Sequence, residues 1–444
     1  MLVCGKGDMN GVPAKMSKLK WLVLITCFVL NVRQVGIFQQ VDADAGQPAG
    51  NAVVDSRALT GKVMCGYQGW FSCPEDGAEL GWTHWARAIR RPFGPGNAAV
   101  DLWPDMRELS QDERYPTQFK HANGRPATVY SSANKKTINR HFHWMRDYGI
   151  DGIFLQRFAS ELNSARLKAQ KDVVLFHARD AALDTGRVLA VMYDLSGLEK
   201  GQVARVGNDW KQLRHDGITQ SSRYLHHNGK PLVAVWGVGF SDDREYTLAE
   251  CGDLIGVLKS EGCAVMLGVP SWWREQKRDA VSDKSLHDVL KKADVLSPWT
   301  IGRYRSPREA SLHASRVWKP DLDWCAKQKL EFLPVVFPGF SWKHLHGGKL
   351  DDIPRLKGKF LWTQITSAKQ VGAEMIYVAM FDEVDEGTAI FKCSNDPPVG
   401  EDVSFLTYDG LPTDYYLRVT GQGGRLLRGQ IPGDSPLPPA FPAR

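Results

Sequence analysis

Residues 188–193 read Val-Leu-Ala-Val-Met-Tyr, six apolar positions in a row closed by Asp194. A strand with one face in water alternates apolar and polar residues; this run does not. An unbroken apolar strand is what a parallel sheet covered on both faces requires. Working outward, the same signature recurs as KVMCGY at 62–67, GIFLQ at 152–156, PLVAVW at 231–236, AVMLGV at 264–269, DVLS at 294–297, EFLPVVF at 331–337 and EMIYVAMF at 374–381. Stretches of helical character separate them, at 136–148, 165–185, 248–261, 286–293 and 359–371. Eight strand–helix alternations predict an α/β fold, a (β/α)8 TIM barrel.

About 80 residues lie between the first and second runs, too many for a plain loop. They carry Trp82, His84, Trp85, Trp103 and Tyr115, and are expected to form a long insertion over the barrel mouth. The barrel is expected to span 60–396, after a linker at 46–59. The tail, 397–444, is rich in Gly and Pro and is expected to be an irregular extension.

Composition agrees with a globular chain. It has 444 residues, 43% hydrophobic and 24% charged, which excludes a disordered or collagen-like protein. The formal charge is +6, but no run of five Lys or Arg occurs, so no nucleic-acid partner is expected. Nothing points beyond a monomer.

Residues 21–32 (WLVLITCFVLNV) form a short uncharged run behind Lys15, Lys18 and Lys20, with Ala43-Asp44-Ala45 beyond it. That pattern reads as a signal peptide over 1–45, and so as a secreted or periplasmic protein with no stable membrane span once it is cleaved. The run is too short for an ordinary spanning helix. An uncleaved N-terminal anchor is the alternative. Six of the eight cysteines follow residue 45. Cys65 with Cys73 and Cys251 with Cys263 are locally plausible disulfides, and buried free thiols are an equal alternative.

A barrel of this class carries its chemistry at the carboxyl ends of its strands. Reading only the residues that follow each run collects Gln68 and Trp70, Arg157, Asp194, Trp236, Trp272 with Trp273 and Arg274, Trp299, and Trp342. The eighth run delivers Asp382, Glu383, Asp385 and Glu386. Indole faces stack on the apolar face of a pyranose, and crowded carboxylates divide acid and base roles between them. The ring of tryptophans around acids therefore points to an oligo- or polysaccharide substrate. Trp70, Arg157, Asp194, Trp236, Trp272, Trp273, Trp299, Trp342 and Asp382 are the expected substrate contacts.

The segment Phe381-Asp382-Glu383-Val384-Asp385-Glu386-Gly387-Thr388 resembles the FNEWHEGT-type motif of glycoside hydrolase family 99, the endo-α-mannosidases and endo-α-mannanases, relatives of the family 71 α-1,3-glucanases. GYQGWF at 66–71, FPGFSW at 337–342 and FLWTQ at 360–364 support the resemblance. It implies a barrel enzyme that cleaves α-linkages with retention and needs no metal or other cofactor. It implies Glu383 as the base that draws the proton from the sugar's 2-hydroxyl, giving a 1,2-anhydro sugar, and Glu386 as the acid/base at the leaving oxygen. Asp382, Val384 and Asp385 stand where the family motif has Asn, Trp and His, and Asp194 where it has Glu, so mannose is not assigned as the sugar.

Two other readings stay open: a glycan-binding barrel without turnover, and a metal-dependent enzyme using Asp382, Asp385 and Glu386 as oxygen ligands. No Walker sequence and no Gly-x-Ser-x-Gly elbow is present.

Overall fold

The computed structural model describes residues 52–400 and 403–441. The expected signal peptide and the first part of the linker lie outside them. Nine parallel strands form the barrel: β1 Val63–Tyr67, β2 Gly152–Phe158, β3 Val188–Asp194, β4 Lys230–Trp236, β5 Ala264–Pro270, β6 Val295–Trp299, β7 Glu331–Phe332, β8 Val335–Val336 and β9 Ile376–Val378. The hydrogen-bonded order runs β7-β6-β5-β4-β3-β2-β1-β9-β8. The run at 331–337 was expected as one strand. It is two halves, because Pro334 has no N–H to give to a ladder and the chain jogs there. The first half pairs with β6 (Glu331 against Val295) and the second with β9 (Val335 against Tyr377), so the jog closes the ring.

Helices follow the strands: α1 Lys135–Tyr148, α2 Ala165–Thr185, α3 Ala204–His215, α4 Leu248–Ser260 and α5 Leu286–Leu290. Then come α6 Pro307–His313, running through a π turn at Ala314–Trp318 into α7 Lys319–Gln328, and α8 Lys359–Val371. Their starts are written locally. Asn134 accepts from Lys136 N, Ser164 from Leu167 N and Ser306 from Glu309 N, while Thr247 and Glu250 form a reciprocal box.

The insertion is built on a hairpin, Tyr115–Lys120 with Pro126–Val129, and on its own aromatic core of Trp82, Trp85, Phe93, Trp103 and Phe119. It docks at the carboxyl end of the barrel: the N–H groups of Asp101 and Leu102 both donate to Val384 O in the acidic loop. That clamp, not a loose lid, sets where the insertion's side chains point.

One expectation is corrected, and one open alternative is decided. The tail is not irregular throughout: Tyr415–Leu427 is a 13-residue helix, α9, packed on α8, α1 and β1. Its glycines, which suggested disorder, make close packing possible. A Cβ at Gly421 would sit 1.7 Å from Tyr148 O. Arg428, just beyond α9, bonds Asp151 (3.0 Å), which also accepts from Val63 N at the start of β1. And Cys65, Cys73, Cys251, Cys263, Cys325 and Cys393 are all buried free thiols, the second of the two alternatives. Among the described residues no helix is long and apolar enough to cross a membrane.

Candidate active site

The loop after β9 carries four acids that do four different things. Asp382 is fully buried, and its two oxygens accept from the backbone N–H groups of Gln68 (2.8 Å) and Gly69 (2.9 Å), just past β1. Gly69 has φ +58°, and a Cβ there would meet Val174 at 2.7 Å, so the turn that presents its N–H needs glycine. Burial pushes Asp382 up to about 7 against the pull of the two N–H groups. It ties the first and last barrel strands together, and its side chain is fully enclosed, which sets it apart from the expected substrate contacts.

Glu383 accepts from Gln68 Nε2 (2.6 Å) and from Thr388 Oγ1 (2.5 Å) and is 4% exposed. Burial, then the charges of Glu386 and Asp385, push it well above the carboxylate range; the two donated bonds pull the other way. Asp385 is buried and bonds His84 Nδ1 of the insertion (3.2 Å). Glu386 is half-buried and the most exposed of the four. Burial and then Asp385's charge push it up to about 8, and the Trp342 side chain opposes them.

Asp194, at the end of β3, is half-buried with Oδ1 accepting from Ser196 N (2.7 Å), and burial pushes it up to about 6. Aromatic rings surround the acids. Trp70 lies 5.5 Å from Phe158, and Trp236 meets Trp299 edge-on at 5.4 Å and carries the Arg244 guanidinium 5.0 Å above it. Trp342 is 39% exposed, 4.2 Å from His346. Trp70, Asp194, Trp236, Trp299 and Trp342 therefore lie at the strand ends with Glu383 and Glu386.

Three expected contacts do not. Along β2 alternate residues face the barrel and the helices. Gln156 faces inward and bonds Tyr377 Oη (2.9 Å), so Arg157 faces outward. There it is fully buried between Asp209 of α3 (2.6 and 2.7 Å) and Asp172 of α2 (2.7 Å). Trp273 is buried in the helical layer against Trp324 (4.9 Å) and His287. Trp272 packs on His313 of α6 under the Arg278 guanidinium. Arg274 is held by Asp321 (2.7 Å). All three were picked because they follow a strand in sequence, which does not say which way they face.

Residues not singled out as contacts join the site instead. Lys171 of α2 is buried beside Glu161 (3.1 Å) and 5.9 Å from the Phe158 ring. A lysine in the first turns of a helix carries no sequence signal for this. Thr388 was visible only as part of the loop motif. Among the described residues no group of His, Cys, Asp and Glu is spaced to hold a metal ion.

The raised acids have a consequence for stability. Unfolded, they titrate near pH 4; folded, Asp382 is raised to about 7 and Asp385 and Glu386 to about 8. Between those limits the folded chain binds more protons, so stability falls as pH rises. Calorimetry should give the highest Tm near pH 5 and a decline toward pH 8.5, shallower in Asp385→Asn. A Tm that climbs over this range would contradict the assignment.

No family model matches the chain, and no curated protein matches it. Solved structures do. The GH99 endo-alpha-mannosidase from Bacteroides thetaiotaomicron is similar at 17% sequence identity, over 84% of this chain and 99% of that one, with a TM-score of 0.57. The structure of that enzyme with bis-tris propane gives 17%, 84%, 99% and 0.56. At this identity the likeness is one of fold, and it agrees with the closed α/β barrel.

Proposed function

We propose that this protein is a retaining glycoside hydrolase acting on an α-linked oligo- or polysaccharide, with Glu383 and Glu386 as its reacting carboxyls. The observation that carries the reading is their placement. Both lie on the loop that follows the last strand of a closed barrel, one gripped by two donors and the other open to solvent beside an exposed tryptophan.

Each carboxyl suits its role. Glu386, raised to about 8, carries a proton at neutral pH and can give it to the departing glycosidic oxygen. Glu383 takes the proton of the sugar's 2-hydroxyl as that oxygen attacks C1 and the bond to the leaving group breaks. Burial and the neighbouring acids push Glu383 well above the carboxylate range, so it must shed its proton before it can act as base; its two donors favour that loss, and sugar hydroxyls entering the cleft add to them. The product of this step is a 1,2-anhydro sugar, which water opens, with Glu386 taking the water's proton and Glu383 returning its own to the 2-oxygen. A nucleophile within the sugar removes the need for an enzyme carboxylate placed against C1, and its tethering supplies much of the rate. Trp236, Trp299 and Trp342 offer stacking faces for sugar rings, and Asp194 an acceptor for hydroxyls, whereas the face of Trp70 is taken by the His84 ring. The basic flank and apolar run at 15–32 support export of the chain.

The test is to incubate the protein with a panel of α-mannans, α-glucans and sulfated or uronic-acid polysaccharides, measuring reducing ends and following the first anomer by proton NMR. Release with the α-anomer first is expected. Release with inversion would overturn the mechanism. Tight binding without release would leave a glycan-binding barrel.

A further inference from the structure

His84 reaches the acid loop from the insertion, and the reaction as set out above gives it no part. Its backbone holds φ +63°, a conformation few residues other than glycine adopt. Its ring lies flat on Trp70, 3.7 Å away at an interplanar angle of 4°. Its Nδ1 stands 3.2 Å from Asp385 Oδ2. Asp385 is enclosed, its Oδ1 has no hydrogen-bond partner among the described residues, and His84 is the only side chain bonded to it. Backbone turn, stack and bond thus converge on one orientation of one imidazole.

We propose that His84 is a positioning residue for Glu386: by donating its Nδ1–H to Asp385 Oδ2 it favours the charged form of that carboxyl, and the adjacent negative charge, as it develops, keeps the proton on Glu386. This rests on the reading of Glu386 as the acid.

The electrostatics of the pair run in this direction. Burial first, then the charge of Lys171, hold His84 down to about 3, so it is neutral and has one ring proton to donate. Burial pushes Asp385 up to about 8, and the backbone N–H groups of Asp385 and Glu386 oppose it; a proton donated from His84 to Oδ2 acts in the same direction as those N–H groups. Asp385's charge in turn raises Glu386. The other charged and titratable groups facing the pair have their own partners. Asp382 is held by the backbone of Gln68 and Gly69, and Glu383 by Gln68 and Thr388. Asp101 is bonded by Ser341 Oγ, the N–H groups of Lys343 and His344, and the His344 ring. Lys171 pairs with Glu161. None of them is bonded to Asp385; the Asp101 charge raises it from a distance, and among the described residues His84 is the side chain that bonds it.

Three variants separate this role from packing. His84→Phe keeps a ring against Trp70 and removes the donor. His84→Asn places an amide N–H near Nδ1 and tolerates positive φ. Asp385→Asn removes the charge. The first readout needs no substrate: the titration of the Glu386 carboxyl by carbon-13 NMR. Its midpoint should fall by about one unit in His84→Phe and in Asp385→Asn, no further in the double variant, and stay at the unmodified protein's value in His84→Asn. The second is the alkaline limb of kcat/KM, which should move to lower pH by the same amount in the same variants. A Glu386 midpoint unmoved in His84→Phe, or moved equally in His84→Asn, overturns the proposal. A protein that cleaves no glycan while these midpoints shift as stated refutes the hydrolase reading and leaves the His84–Asp385 pair standing.

Discussion

Glu386→Gln is expected to lower kcat/KM on a glycan whose leaving group is an ordinary sugar alcohol by roughly a thousand-fold, the usual scale for loss of a general acid. An alkoxide departs poorly unless a proton arrives as the bond breaks, and glutamine has none to give. The loss should shrink sharply on an aryl glycoside or glycosyl fluoride, whose leaving group needs no proton. Glu383→Gln should be impaired on both substrates, because the 2-hydroxyl must be deprotonated whatever departs. The amide can still accept from Thr388 and keeps the size of the side chain, so circular dichroism and Tm should show both variants folded. In the unmodified protein, activity should fall as pH rises through about 8 and Glu386 sheds its proton. Full activity of Glu386→Gln on the natural linkage, or equal losses on both substrates, would remove it from the acid role.

Gly421→Ala is expected to be among the most damaging single changes outside the site. Within a helix this exchange ordinarily stabilises by up to about 1 kcal/mol, because alanine gives up less backbone freedom. At Gly421 the new methyl would lie 1.7 Å from Tyr148 O, a backbone atom that no rotamer change can move. Either α9 lifts from the end of α1 or that end is pushed aside. The cost should be about 3 kcal/mol, the scale of overpacking a tight contact. Gly256→Ala in α4 is the internal control, since a Cβ there meets nothing within 4 Å and should leave Tm unchanged or raised. Calorimetry on the two variants should give shifts of opposite sign. A Tm unchanged in Gly421→Ala would mean that α9 is loosely attached.

Sequence and structure agree where one kind of physics governs a whole stretch. The eight apolar runs were legible because strands buried on both faces have no polar positions to confuse the pattern. That same uniformity hid direction. Nothing in GIFLQRF distinguishes Gln156, which faces the barrel interior, from Arg157, which faces Asp172 and Asp209, so sequence position alone puts Arg157 at the cleft. Trp273 failed for the same reason. Pro334 sits inside an apolar run that reads as one strand, and the glycines of the tail read as irregular chain; in the structure the proline marks the jog that closes the ring, and the glycines let one helix approach another. The position of Glu383 and Glu386 after the last strand was visible from their spacing. The partner of Asp385 was not, because His84 lies 301 residues away and only the folded insertion brings it back.

The six free thiols among the described residues give the molecule an internal set of reporters. Cys65 lies in β1, Cys73 in the insertion, Cys251 in α4, Cys263 just before β5, Cys325 in α7 and Cys393 beyond the acid loop. Burial pushes every one of them up, Cys251 and Cys393 to about 12, so none reacts while its surroundings stay closed. A mild alkylating reagent would then mark each cysteine at the rate at which its own region opens, and the order of labelling would rank the sectors of the barrel by local stability.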